Sequence, residues 1–117
     1  MTTDHPTLVK ALCKSGTDIF IDLDPFKSHL LHVVPCISSE AGELWDAIKR
    51  YVIYNQPMDR ANVVEELGDI EFYLEAIRQA LNLTREETLL NNIEKLRIRY
   101  SKMTYSDQAA QERKDKV

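Results

Sequence analysis

An all-α bundle is predicted by three stretches in which apolar residues recur at helical spacing, and by start and stop signals that bracket each of them. Val63, Leu67, Ile70, Leu74, Ile77 and Leu81 recur at alternating steps of four and three, as do Leu89, Ile93, Leu96, Tyr100 and Met103. Ile37, Leu44, Ile48 and Tyr51 make the third stripe. Such a stripe is the seam of a helix packed in a bundle. The 117 residues are long enough for one domain with its own core. Three long stripes, with Trp45 and Phe72 off the seam, nevertheless carry more apolar surface than a short three-helix arrangement hides. A four-helix core completed by oligomerisation is therefore expected, as a homodimer or a dimer of dimers.

Taken in order, residues 6–14 can form a short helix, with Pro6 suited to its first turn and Gly16 to its end. Ile19 to Leu23 reads as extended or irregular, and Asp22-Leu23-Asp24-Pro25 as a helix start. From Phe26 to Tyr54 the pattern is helical, with a kink expected at Pro35, which lacks a backbone donor, and local weakness at Gly42. Asn55-Gln56-Pro57 breaks the chain before Asp59, a candidate N-cap for a helix reaching Leu81. Asn82 can end that helix, and Thr84, with Glu87 three residues on, can cap a fourth running to Met103. From Thr104 onward the tail is polar, and Ser106 can cap a last short helix that is as apt to fray. The organisation expected is one domain over 1–117, with a helical extension over about 1–24 and a polar tail over about 104–117.

Two acidic pairs share one placement relative to these stripes. Glu66 lies about 60° and Asp69 about 120° from the centre of the Val63–Leu81 stripe, at about 100° of turn per residue. Glu40 and Glu43 lie about 50° and 110° from the centre of the earlier stripe. Four carboxylates meeting along one groove repel one another unless a cation lies between them. Oxygen donors of this kind suit a hard divalent ion such as Mg²⁺, with Mn²⁺ as a substitute. On the last long stripe Asn92, Lys95 and Arg99 each immediately precede an apolar residue, giving a cationic edge suited to an anionic ligand. An acidic metal shoulder and a basic shoulder together can hold a metal–polyphosphate.

The net charge of −4 argues against nucleic-acid binding and makes a bridging metal more important for any triphosphate. Cys13 and Cys36 have no metal-ligand spacing and read as free thiols in a reducing cytosol. No signal peptide is apparent, and no apolar run approaches the roughly 20 residues of a membrane span, so a cytoplasmic location without membrane partners is expected.

Glu-Ala-Gly-Glu-Leu at 40–44, Glu-Glu-Leu-Gly-Asp at 65–69 followed by Phe72-Tyr73, and Asn92-x-x-Lys95-Leu96-x-x-Arg99-Tyr100 form an ordered trio. In these motifs the chain resembles the MazG-like branch of the all-α nucleotide pyrophosphohydrolases, from about Leu30 to Arg113. The resemblance implies that Glu40, Glu43, Glu66 and Asp69 hold Mg²⁺ and that Asn92, Lys95 and Arg99 contact phosphates. It also implies oligomerisation and a reaction in which a nucleoside triphosphate and water give a nucleoside monophosphate and pyrophosphate, a nucleotide-pool house-cleaning activity. Glu43 is the residue expected to position or deprotonate the water. His32 and Tyr73 are candidates for orienting the ligands from behind, against a purely structural reading of each. Trp45, on the shoulder opposite Glu40, reads as an interface or core aromatic. Two other readings compete: the same fold acting on a phosphoribosyl-nucleotide or a pyrophosphorylated signalling nucleotide, and a non-catalytic helical module that dimerises or binds a regulator.

Overall fold

Each helix of the computed structural model, which describes residues 4–113 and 115–116, starts at a side chain that accepts a hydrogen bond from a backbone N–H of the first turn. Asp4 caps α1 (His5–Leu12), Ser15 caps α2 (Gly16–Ile21), and Asp24 caps α3 (Pro25–Val52). Asp59, Thr84 and Ser106 do the same for α4 (Arg60–Ala80), α5 (Arg85–Arg99) and α6 (Asp107–Glu112). The described residues contain no strand, so the chain is all-α, as its periodicity predicts. Residues 1–3, 114 and 117, at the ends of the expected extension and tail, lie outside the described residues.

Two boundaries differ from the sequence expectation. Gly16 begins a helix instead of ending one. The Ser15 hydroxyl accepts from Thr17 N at 3.2 Å, and Asp18 sits in the first turn, where a negative charge favours the helix dipole, so Ile19 to Ile21 are helical and not extended. Through Pro35 the helix continues, as the pattern from Phe26 to Tyr54 predicts, and α3 runs for 28 residues. Pro35 and Leu31, the residue whose carbonyl loses its donor, are both exposed, so solvent can satisfy that carbonyl. Finally, α5 stops at Arg99, not Met103. Tyr100 leaves the helical conformation, its ring tilts against that of Tyr105 at 5.8 Å, and Arg99 is drawn to Asp115, so the chain folds back there.

The end of α4 is closed by Asn82 in the left-handed region at φ 60°, a conformation that Asn tolerates. Leu83 N donates to Arg78 O at 2.8 Å and Asn82 N to Gln79 O at 3.2 Å, the paired bonds of a Schellman cap.

The extensive helix–helix packing among the described residues is α3 on α4, with a smaller contact of α6 on α5. Arg50 meets Asn62, Glu40 meets Glu66 and Asp69, and His32 meets Tyr73, so the two long helices run antiparallel. Among the described residues only Val33 and Ala47 are buried apolar residues, and the Arg78 guanidinium is buried between Glu71 (3.7 Å) and Glu75 (3.4 Å). The stripe on α4 is half-buried at Val63, Ile70, Leu74 and Ile77 but exposed at Leu67 and Leu81. The α5 stripe is exposed at Leu89, Ile93 and Leu96. A radius of gyration of 20.3 Å compares with about 13 Å for a compact domain of this length. The described residues of one chain thus form a helical hairpin with open apolar faces and no closed four-helix core.

Candidate metal centre

The hairpin brings one carboxylate oxygen each from Glu40 on α3 and from Glu66 and Asp69 on α4 to within 4.8 Å of one another. All three residues are half-buried. Their convergence follows from the antiparallel packing. Residues 66 and 69 lie nearly one turn apart on α4, and the side of α3 that carries Glu40 lies against that face. Glu43, the fourth acid singled out in the sequence, is exposed and stands outside this group. Its charge still acts on Glu66, so it borders the cluster.

Glu66 is the most constrained of the four. Its Oε2 is shut off from solvent and has no hydrogen-bond partner. Burial pushes its carboxyl above the ordinary value of 4.5, and the charges of Asp69, Glu43, Glu40 and Glu65 push it further in the same direction. In the amide orientation that satisfies both of its ends, Asn62 donates to Glu66 Oε1 at 3.3 Å and accepts from Arg50 Nη2 at 3.1 Å. Arg50 Nε in turn donates to Asp46 O at 3.4 Å. Asn62 and Arg50 were not singled out in the sequence, though the step of four from Asn62 to Glu66 on one helix face is visible there. Among the described residues no Lys or Arg forms an ion pair with Glu40, Glu43, Glu66 or Asp69. An orphaned, buried carboxylate oxygen among close carboxylates fits a hard divalent cation: a bound ion would satisfy the oxygen and offset the repulsion.

One turn back along α3 from Glu40 lies Cys36, and one turn further His32. The Cys36 Sγ is 3.9 Å from His32 Nδ1, and the His32 ring meets that of Tyr73 edge to face at 6.2 Å. The Tyr73 hydroxyl is pushed above its ordinary value first by its hydrogen bond to the Cys36 thiol, then by that group's charge and by burial. Glu40 and Asp69 add to the shift, so their charges reach this phenol. His32 and Tyr73, noted in the sequence, therefore lie beside the acid cluster, joined by Cys36, which had read as an unremarkable thiol.

The cationic edge lies elsewhere in the single chain. Asn92 is exposed and Lys95 half-buried on α5. Arg99 Nε donates to Asp115 Oδ1 at 2.9 Å in an ion pair whose two side chains are largely buried. Burial alone would raise the Asp115 carboxyl, but the hydrogen bond and charge of Arg99 hold it below its ordinary value. No hydrogen bond or ion pair among the described residues links Asn92, Lys95 or Arg99 to the carboxylates.

An all-α hairpin carrying a carboxylate cluster fits enzymes that use a divalent metal on phosphate esters and anhydrides. Residues 28–104 match the MazG nucleotide pyrophosphohydrolase domain, and the chain belongs to that family. It is thus a hydrolase of nucleotide phosphoric anhydrides, which sets aside the reading as a non-catalytic module. Neither the comparison with curated proteins nor that with solved structures gave a match. No helix of the described residues is long and apolar enough to cross a membrane.

Proposed function

We propose that this chain is a Mg²⁺-dependent nucleoside triphosphate pyrophosphohydrolase that cleaves between the α- and β-phosphates. The observation that carries the reading is the cluster of Glu40, Glu66 and Asp69, with Glu66 Oε2 buried and unpartnered. These three carboxylates would hold Mg²⁺, with Glu43 completing the set from the rim. Bound there, the ion would supply charge neutralisation on the phosphates and orientation of the attacking water. Glu43 is exposed and makes no ion pair among the described residues, so its carboxylate is available to take the proton of that water. Water oxygen bonds to the α-phosphorus, the bond from that phosphorus to the bridging oxygen breaks, and pyrophosphate leaves. Asn62, tied to Arg50, keeps Glu66 in place while leaving its second oxygen free. Asn92, Lys95 and Arg99 would grip the phosphates, with Arg99 exchanging Asp115 for a phosphate oxygen.

Incubation with a panel of ordinary and modified nucleoside triphosphates, a phosphoribosyl-nucleotide and a pyrophosphorylated signalling nucleotide tests this directly. Pyrophosphate and monophosphate should form from at least one triphosphate, and turnover should stop in excess chelator. Orthophosphate as the first product, or full turnover in chelator, would contradict the proposal.

The assembly proposed is a homodimer or dimer of dimers whose subunits share a helical core. An accessible surface of 9814 Å² compares with about 6,500 Å² for a folded monomer of this mass. Large apolar side chains contribute to this surface, with Trp45, Phe72, Leu67 and Ile93 about half exposed or more. Light scattering at low micromolar concentration should return at least twice the 13.5 kDa chain mass. A well-folded monomer would refute the assembly.

A further inference from the structure

We infer that His32 and Cys36 form a second metal site, distinct from the carboxylate cluster and suited to a borderline-soft divalent cation of the Zn²⁺ class. The two residues are four apart on α3, a spacing that puts both side chains on one helix face and that serves paired ligands in helical zinc sites. Their donor atoms are 3.9 Å apart. Tetrahedral zinc with ordinary Zn–S and Zn–N bonds needs a sulfur–nitrogen separation of about 3.6 Å, so a small side-chain rotation closes the pair on an ion. Thiolate and imidazole select this class of metal, whereas the all-oxygen group of Glu40, Glu66 and Asp69 selects hard cations. The two centres therefore sort ions by ligand chemistry although each takes a ligand from α3.

Access and support are both present. His32 is exposed and Cys36 half-buried, so an ion can enter from solvent. The Tyr73 ring stands at right angles to the His32 imidazole with 6.2 Å between centroids, and this contact limits the turning of that imidazole. On binding, the thiol proton passes to solvent as the sulfur–metal bond forms, and water fills the remaining coordination positions. Two protein ligands make an exchangeable site and not a structural one.

Cobalt(II) is the probe, because cobalt bound to a thiolate shows a near-ultraviolet charge-transfer band and cobalt on carboxylates does not. Titration of the reduced, full-length protein should produce that band in the wild type and in Cys13→Ser. It should be lost in Cys36→Ser, and the midpoint should rise at least tenfold in His32→Gln. Zn²⁺ should bleach the band, and millimolar Mg²⁺ should not. Absence of the band in the wild type, its survival in Cys36→Ser, its loss in Cys13→Ser, or an unchanged midpoint in His32→Gln would overturn the site. His32 is exposed, so its variant decides the matter even if the Cys36 variant folds poorly. The readout needs no turnover, so it is independent of the catalytic proposal.

Discussion

Replacing Asp69 by Ala should lower nucleotide turnover by about 10²–10³-fold while leaving helical content unchanged, since loss of one metal-holding carboxylate removes about 3–4 kcal/mol of transition-state stabilisation. Glu40→Ala should behave alike, because both side chains contribute to the same three-oxygen cluster. Double replacement should cost little more than either single one, as residues acting as one unit are strongly non-additive. Steady-state kinetics with saturating Mg²⁺, alongside circular dichroism, measures this. Turnover within threefold of wild type in both variants would remove the carboxylates from the chemistry.

Glu66→Gln should separate the metal from the fold in the opposite direction. The folded-state carboxyl of Glu66 is raised by burial and by the neighbouring carboxylates, so the folded protein binds this proton more tightly than the unfolded chain does. Its contribution to stability is therefore fullest below the ordinary carboxylate value and declines as pH rises through the raised one. Metal-free wild type should accordingly melt higher on acidification within that window, and Glu66→Gln should be flatter there and melt a few degrees higher at neutral pH. Added Mg²⁺ should stabilise the wild type at neutral pH and leave Glu66→Gln almost unchanged. Calorimetric melting with and without chelator gives both comparisons; equal metal-induced shifts in the two proteins would show that Glu66 holds no ion.

What could be read in the sequence was local. Caps at Asp59, Thr84 and Ser106 depend on residues within one turn, and all three occur where the sequence predicts. The acid pairs were legible because a helix fixes which side chains share a face. Gly16 was misread because the same residue can stop a helix or stand just after a Ser cap, and only Thr17 N bonding to Ser15 decides between them. Wheel geometry put Asp69 further outward than Glu66, yet both are half-buried, because the packing of α3 determines what that shoulder meets. The roles of Asn62, Arg50 and Cys36 depend on which residues of α3 and α4 face one another. Periodicity does not encode that register. The placement of α5 was less accessible still, since its apolar stripe specifies that a partner exists but not which one.

Titrating metal-free protein with Mn²⁺, and following the free ion by its paramagnetic resonance signal, tests most directly whether Glu40, Glu66 and Asp69 bind one divalent ion together. Saturable binding is predicted for the wild type, displaced by Mg²⁺ and weakened by about 10–100-fold or more in Asp69→Asn. Binding of equal affinity in the wild type and in Asp69→Asn, or none in either, would contradict that shared binding.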